Sequence, residues 1–319
     1  MEFAFELALC AALEADEEWV LGRQLGAAVA APGARVMDVV GVVPGERFGE
    51  RAAVTDGTIP PPAIEADVPG GEAVPAAEAF DAGPERAREL ATAAADAGFV
   101  ETERRGGRVT VRRTVDYPEG WFDRLVAIEN KPGLDAPGDL RRQLRFDAAL
   151  GLFDEVWLAT ASHVTGAHLN RIPETVGVWR VDPETGDRTV VREAAALAPD
   201  EPGVEPGDRH PLRREVAVVD AEAKARKRRR IAERAYGKGW RPTPPACAHA
   251  RVTDDGRPEC EAFDRVVDPG RDCADCAARE PGDRPADDAD LAALRTAHTP
   301  WVHDPEGRAR RQSSLDRFG

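Results

Sequence analysis

Apolar residues recur at helical spacing along the first thirty positions. Phe3, Leu7 and Cys10 mark one face of a helix predicted over residues 2–15, with Leu13 or Glu14 next on that face. The following stretch, from Glu17 to about Ala30, is predicted as a second helix. Pro32 and Gly33 end it.

Strand and helix patterns then alternate, which is typical of an α/β domain. The predicted segments are a strand over 34–43, a strand over 125–131, a helix over 138–153, a strand over 155–160, a short helix near 163–172 and a hairpin around the turn 183–186. Residues 196–210 are rich in Pro, Gly and acidic residues and are predicted to be a linker. REVAVVD, at 214–220, is predicted as the last strand.

Residues 46–118 interrupt this α/β pattern. A helical stretch over 84–99 leads into VETERRGGRVTVRRTV, which alternates around Gly106 and Gly107 and predicts a hairpin. A helix followed by such a hairpin is how a winged helix ends, so we interpret the segment as an inserted winged-helix-like module. The alternative is an irregular insertion with one hairpin.

Positive charge is concentrated in one helix predicted over 221–240. Its basic residues are candidate contacts for nucleic-acid phosphates. They are Lys224, Arg226, Lys227, Arg228, Arg229 and Arg230. The alternative is a solvated helix that pairs with acidic surface of the same chain.

The composition changes how this basic helix is interpreted. The 319 residues carry a net charge of -15, and only four of the 43 basic residues are lysines. Such acidity resembles the proteins of salt-loving archaea, where it maintains solubility, so it does not exclude DNA as a partner. The apolar start carries Glu2 and Glu6, and its uncharged run is too short to span a bilayer. We therefore expect a cytoplasmic protein without a membrane partner.

Four of the five cysteines lie close together, at Cys247, Cys260, Cys273 and Cys276. The spacing C-x12-C-x12-C-x2-C supplies four soft ligands and predicts a small module held by structural Zn²⁺. An iron-sulfur cluster is the alternative, with Cys10 as a further ligand. Because Cys10 shares an apolar helix face, we expect it to be a buried structural cysteine instead.

Two carboxylates and a lysine fall on predicted strands. Glu129 and Lys131 are two residues apart and share one face of a strand. If the strand that carries Asp38 lies beside it, two carboxylates meet and could hold Mg²⁺ or Mn²⁺ with water and a phosphate. The alternative is a solvated pair on a sheet edge with no chemistry.

The order of these segments resembles the PD-(D/E)XK, or restriction-endonuclease-like, nuclease superfamily: a helix, a strand with an acid, a strand with Glu-x-Lys, a helix and a strand. The resemblance covers roughly 1–45 and 120–195. It implies a central mixed sheet flanked by helices, with Asp38 and Glu129 as metal ligands and Lys131 as the catalytic lysine. It also implies supporting roles for Glu6 on the first helix and Gln143 on the later one.

The chain ends in QSSLDRFG, residues 312–319. This peptide resembles a sliding-clamp (PCNA) interacting motif, with Gln312, Leu315 and Phe318 in the expected positions and Gly319 in place of a second aromatic residue. The resemblance implies tethering to a DNA clamp, which raises the local concentration of DNA.

These observations divide the chain into five segments. They are a first core part (1–45), the insertion (46–118), a second core part (119–220), a basic helix with the cysteine module (221–280) and a disordered tail (281–319). The expected function is Mg²⁺-dependent DNA hydrolysis in repair or replication. The alternative is a non-catalytic DNA-binding or clamp-associated adaptor or regulator that keeps the fold.

Overall fold

A computed structural model describes residues 2–135, 138–209, 212–303 and 305. The chain begins with α1 (Glu2–Asp16), β1 (Val20–Gly26) and β2 (Val36–Pro44). The insertion forms α2 (Phe48–Ala52), α3 (Pro61–Glu65), β3 (Val74–Pro75), α4 (Ala76–Ala79), α5 (Pro84–Asp96), β4 (Val100–Arg105) and β5 (Arg108–Arg113). The core resumes with β6 (Phe122–Asn130), α6 (Leu140–Leu150), β7 (Glu155–Thr160), α7 (Gly166–Leu169), β8 (Gly177–Val181) and β9 (Arg188–Arg192). The last elements are β10 (Gly203–Arg209), β11 (Arg214–Val219), α8 (Ala221–Lys238), β12 (Ala250–Val252), β13 (Pro258–Cys260), β14 (Arg265–Val266) and α9 (Asp288–His298).

Six strands form a central mixed sheet in the order β1-β2-β6-β7-β8-β9. Strand β2 pairs antiparallel with both β1 and β6, the strands β6, β7 and β8 are parallel to one another, and β9 is antiparallel to β8. Helix α6 connects β6 to the parallel strand β7, as a parallel pair requires a crossover. The predicted mixed α/β architecture, with helices beside the sheet, is confirmed.

Apolar side chains cover both faces of this sheet. On one face, α1 packs Leu7 and Cys10 against Val39 and Ile128. Cys10 is fully buried there, as the apolar face of the helix predicted. On the other face, residues of α6 and α8 share a core with β2, β6 and β7. Burial of both faces explains why the central strands are continuous apolar runs.

The second helix predicted after residue 17 is wrong, because this stretch forms strand β1. Leu21 and Leu25 are four residues apart, a spacing that a helix and a bulged strand can share. Tertiary contacts decide between the two. Gly22 lets α8 approach so closely that a Cβ placed there would lie 2.6 Å from the Cα of Ala235.

The insertion has an apolar core of its own, which includes Ile64, Phe80, Leu90, Phe99 and Val111. Its strands pair in the order β3-β5-β4, and α5 leads directly into the β4–β5 hairpin. Gly106 and Gly107 form the turn with φ values of 56° and 82°, as a two-residue hairpin turn requires. The predicted hairpin is confirmed.

Two segments predicted to be irregular are ordered. In the predicted linker 196–210, β10 begins at Gly203 and pairs with β11 in a separate two-stranded sheet. Within the tail from 281 onward, residues 288–298 form α9, with a capping box between Asp287 and Asp290. Strand β10 is poor in apolar residues, and α9 lies in acidic, Pro-rich surroundings, so neither was predicted.

Among the described residues, no helix has both the length and the apolar character needed to cross a membrane.

A buried ion pair joins the insertion to α8. Arg51 of α2 donates from Nε to both carboxylate oxygens of Glu233, at 2.9 and 2.8 Å, and its guanidinium lies 4.1 Å from the ring of Tyr236. Tyr117 and Glu233 also hydrogen bond, and Trp121 donates to the Tyr117 hydroxyl. A buried carboxylate needs this cation because an uncompensated buried charge is costly.

We expect Arg51→Ala to lower the free energy of unfolding by about 3–5 kcal/mol, because it leaves Glu233 charged and buried without its partner. Urea denaturation in molar KCl measures the change. The matched control is Arg86→Ala, which breaks an exposed pair with Glu89 and should cost less than about 0.5 kcal/mol. Equal losses in the two variants would contradict this assignment.

Candidate functional site

Asp38 and Glu129 face each other across two neighbouring strands. The antiparallel register of β2 and β6 pairs Val39 with Ile128, so the next positions along each strand are Asp38 and Glu129. Residues opposite each other in such a pair point to the same face of the sheet. The backbone N–H of Asn130 donates to Asp38 Oδ2 at 2.9 Å and fixes that carboxylate at the end of β6.

Helix α1 and strand β1 bring a third carboxylate to this end of the sheet. Glu6 is buried and accepts from Arg23 Nε at 2.5 Å. Gln24 Nε2 donates to both oxygens of Glu6, at 3.3 and 3.2 Å, and lies 3.4 Å from Asp38 Oδ1. Gln24 has φ of 53°, a left-handed conformation that is strained for this residue, and it lies where β1 passes Asp38. The residue with the strained backbone is therefore the one whose side chain links the carboxylates of Glu6 and Asp38.

A buried arginine stands behind Glu129. Arg35, just before β2, donates from Nη2 to Glu129 Oε2 at 2.5 Å. The same guanidinium binds Asp147 of α6 with Nε–Oδ1 and Nη2–Oδ2 distances of 3.0 and 2.8 Å. The planar fork of Arg suits this double contact, which a lysine could not reproduce. Arg35 thus holds Glu129 in one orientation against the core.

Lys131 follows directly after β6, and its backbone N–H donates to Ala159 O at 2.9 Å. Its Nζ lies 3.2 Å from Oε1 of Glu2, at the start of α1, and the side chain is partly exposed. Gln143 is half-buried on α6, one turn before Asp147. No hydrogen bond joins Gln143 to the carboxylates within the part of the chain that is described.

The carboxylates at this sheet end, which are Glu6, Asp38, Glu129 and Asp147, titrate above their ordinary range. Burial raises the pKa of Glu129 to about 7, with a further contribution from the charge of Asp38, while Arg35 opposes the shift. Burial also raises the pKa of Asp38, although the Asn130 N–H lowers it in part. The pKa values of Glu6 and Asp147 rise for the same reason, and the Asp38 charge adds to both. Closely spaced buried carboxylates resist simultaneous ionisation.

The donor set fits a divalent cation only as a two-carboxylate site. Within 2–135, 138–209 and 212–303, no three or more His, Cys, Asp or Glu side chains are arranged so that they could hold a metal ion together. Glu129 Oε2 and Asp38 Oδ2 are engaged by Arg35 and Asn130. Asp38 Oδ1 has only the long contact with Gln24, and among the described residues no hydrogen bond engages Glu129 Oε1. These two oxygens are the ones that could take up Mg²⁺, which commonly binds one or two protein carboxylates and several waters.

Sequence patterns missed Arg35 and Asp147, which complete the charge balance. Asp147 carried a usable signal, because it falls on the apolar stripe of α6 with Leu140, Leu144 and Leu150, where a charged residue requires a partner. Arg35 precedes its strand and follows no periodic pattern. Only the fold reveals its role.

The basic face of α8 is largely used within the protein. Lys224 is fully buried and donates from Nζ to two backbone carbonyls, Ala198 O and Glu201 O, so it is withdrawn from contact with a phosphate. Other side chains of this helix pair with the core, the insertion or the helix itself. The pairs are Arg226–Glu222, Arg228–Asp154, Arg229–Asp67 and Arg230 with Glu65 and Asp81.

Lys227 is the member of this basic helix with a distinct environment. Burial lowers its pKa to about 8, and Arg230 and Arg234 nearby add to the shift. It lines a cavity of about 370 Å³ between α8 and the insertion, together with both acidic and basic side chains. Helix α8 therefore joins the core to the insertion through ion pairs. Pairing with acidic residues of the same chain was the alternative to phosphate binding for this helix.

The remaining predicted residues lie near the end of the chain. Cys247, Cys260, Cys273 and Cys276 line one cavity, and none forms a disulfide. Gln312, Leu315 and Phe318, the predicted clamp-binding residues, lie outside the described residues.

A pH-dependent stability difference should reveal the buried state of Glu129. Its folded pKa lies above the ordinary value of 4.5, so its stabilising contribution is complete below pH 4.5 and is lost as the pH rises through about 7. We compare the free energy of unfolding of Glu129→Gln with that of wild type in the absence of divalent cations. We expect the difference between variant and wild type to shift in favour of the variant by roughly 1–3 kcal/mol from pH 5 to pH 8. Thermal unfolding at both pH values measures this.

The control for that experiment is Gln143→Asn, a change to a neighbouring side chain that does not titrate. Its difference from wild type should stay constant with pH. A pH-independent difference for Glu129→Gln as well would contradict the burial of a titrating carboxylate at this position.

Comparison with known proteins identifies a family without a known activity. The sequence profile of a family of unknown function (DUF5787) matches residues 20–281. This range includes Asp38, Glu129, Lys131 and the four clustered cysteines, and it leaves out Glu6. No curated protein matches the chain, and no solved structure matches it. Since the match covers most of its length, the chain belongs to the DUF5787 family.

Proposed function

We propose that this chain is a divalent-metal-dependent nuclease that hydrolyses phosphodiester bonds of DNA. The observation that carries the proposal is the Asp38–Glu129 pair on adjacent antiparallel strands, with Lys131 two positions further at the same sheet end. Paired carboxylates next to a lysine are the residue types that this chemistry uses.

The order of the elements supports the proposal. Helix α1 precedes the antiparallel strands β1, β2 and β6, and α6 then crosses over to the parallel strand β7. This arrangement resembles the core of the PD-(D/E)XK superfamily, in which a strand with an acid and a strand with Glu-x-Lys are followed by a helix and a further strand. Because fold alone does not imply activity, the residues at the sheet end carry the argument.

Each side chain has a distinct role in this proposal. Asp38 and Glu129 would hold Mg²⁺ or Mn²⁺, which when bound would polarise the phosphate and lower the pKa of a water molecule. Lys131 leaves its exposed pair with Glu2 to orient water or offset negative charge on the phosphate. Arg35 orients Glu129, and Gln24 links Asp38 to Glu6.

A role in DNA repair or replication, in contact with the sliding clamp, is part of the same proposal. It is supported by the terminal peptide QSSLDRFG and by the inserted module, in which α5 leads into a hairpin that carries Arg104 and Arg108. A winged-helix-like module of this kind would engage duplex DNA beside the nuclease core.

Two ion pairs favour a second candidate, a non-catalytic DNA-binding or clamp-associated adaptor. Arg35 occupies one oxygen of Glu129, and Lys131 pairs with Glu2. In such a protein these contacts would be permanent, and the sheet end would be a stabilising charge cluster without chemistry.

Cleavage assays distinguish these two functions. We expect the full chain in molar KCl with Mg²⁺ or Mn²⁺ to cleave at least one of flapped, forked, single-stranded or duplex DNA. Lys131→Ala should lower the rate about 100-fold or more, because it removes a positive charge beside the reacting phosphate. Glu129→Gln should abolish cleavage.

Glu155→Gln is the matched control for these variants. Glu155 lies at the start of β7, at the opposite end of the sheet, where it pairs with Arg124. Its removal should leave the cleavage rate unchanged. If wild type and Lys131→Ala are equally inert on every substrate, the nuclease proposal fails and the adaptor is favoured.

Clamp binding is tested independently of cleavage. We expect deletion of residues 312–319 to abolish capture of the chain by an immobilised sliding clamp, because Leu315 and Phe318 would fill its apolar pocket. The double variant Leu315→Ala with Phe318→Ala should behave like the deletion, and Ser314→Ala should bind like wild type. Undiminished capture after the deletion would refute this part of the proposal.

A further inference from the structure

Four cysteines from three separate segments converge on one small cavity. Cys247 lies in the turn before β12, Cys260 ends β13, and Cys273 and Cys276 follow β14. All four line a cavity of about 20 Å³, together with the apolar side chains of Ala250, Phe263 and Val267. This cavity is distinct from the carboxylate cluster at the end of the main sheet.

The module around this cavity has little to stabilise it. Its strands β12, β13 and β14 are three, three and two residues long. Ala250 and Val267 are buried, but Phe263, its largest apolar side chain, is 51% exposed. Segments of this size without an apolar core usually need a disulfide or a metal to fold. All four thiols are free, so disulfides do not supply the stability.

Backbone contacts hold Cys247 in place at the cavity. The backbone N–H groups of His249 and Glu280 point at its sulfur. Ala248 N–H donates to Glu280 O at 3.0 Å, which ties the segment after Cys276 back to the turn of Cys247. Gly282 passes so closely that a Cβ there would lie 2.6 Å from Ala248 N.

The neighbouring histidine is engaged elsewhere. His249 Nε2 lies 3.5 Å from Glu280 Oε1, so its imidazole pairs with a carboxylate. The soft donors around the cavity are therefore four sulfurs. Four thiolates leave no open coordination position, which is typical of structural rather than catalytic zinc.

We propose that Cys247, Cys260, Cys273 and Cys276 bind one structural Zn²⁺ ion that holds the module together. The sulfurs line the cavity without forming a closed shell, so binding would draw them to about 2.3 Å from a common centre. Each thiol would release its proton to solvent as its sulfur binds the metal. This site does not depend on the proposed nuclease activity.

The position of the module suggests what the metal secures. Arg241 Nη1 lies 3.1 Å from Glu14 Oε1 on α1, and Trp240 Nε1 donates to the same oxygen at 3.0 Å. Arg241 also donates to Asp255 O at 2.8 Å, in the turn between β12 and β13. The metal-bound module would therefore be fastened to the first helix of the core.

Elemental analysis of the full chain, purified in molar KCl, tests the site. We expect about one zinc per chain, because four thiolates complete one tetrahedral shell. Cys260→Ser and Cys273→Ser should each lower this to below about a tenth of an equivalent, whereas Cys10→Ala, the change of the one cysteine outside the cavity, should leave it unchanged. Cobalt added to the chelated wild-type chain should produce a thiolate-to-cobalt charge-transfer band.

Several outcomes would overturn the proposal. Iron with acid-labile sulfide in place of zinc would indicate an iron-sulfur cluster. Zinc retained by both serine variants would indicate an adventitious ion bound elsewhere. If either variant fails to fold, the wild-type chain still decides: an absence of zinc together with the lack of a cobalt-thiolate band would show that the cysteines bind no such metal.

Discussion

The antiparallel pairing of β2 with β6 is the constraint on which the site depends. The chain leaves the sheet at Pro44 and returns at Phe122, after a module with an apolar core of its own. The pairing register places Asp38 against Glu129, and a slip by one residue would turn Glu129 to the opposite face. Because β2 and β6 pack against α1 on one face and against α6 and α8 on the other, such a slip would also disrupt the packing of both faces, and the core therefore enforces the register.

Arginine supplies nearly all the positive charge in this acidic protein, and much of it acts inside the fold. Arg35 binds two carboxylates at once, Arg51 binds Glu233, and Arg228 reaches both Leu152 O and Asp154. Guanidinium groups suit such positions because they stay charged and donate several hydrogen bonds in a plane. Buried pairs of this kind are screened by salt much less than surface pairs are. They would therefore persist at the high salt concentrations that the composition suggests.

Sequence patterns predicted the elements that carry a strong apolar signal. Strand β2, strand β6, helix α6 and the β4–β5 hairpin follow from periodicity and from glycine at the turn. The pattern predicts a helix where strand β1 lies, because the conformation of β1 depends on pairing with β2 and on the close approach of α8 at Gly22. Neither contact is local in sequence. Helix α9 was missed because the sequence around it is acidic and rich in Pro, which is typical of a disordered tail.

The carboxylates of the site could be predicted because they lie on strands with a clear apolar pattern. The charged side chains that surround them could not be predicted. A pair of acids on two candidate strands can be found from spacing, and the resemblance to the nuclease superfamily pointed to Glu6 on α1. The orientation of Glu129 depends on Arg35 and Asp147, which lie far from it in sequence and meet only in the folded chain. Likewise, the charge run of α8 did not reveal that Lys224 is enclosed by backbone carbonyls.

Helix α1 is one of the elements that connect the carboxylate cluster with the cysteine module. Glu6 belongs to the carboxylate cluster, and Glu14 holds Arg241 at the edge of the cysteine module. The two residues are about 12 Å apart along a single helix. A displacement of the cysteine module that moved α1 would also change the contacts of Gln24 with Glu6 and Asp38. The geometry of the carboxylate cluster would then depend on whether the cysteine module is correctly folded.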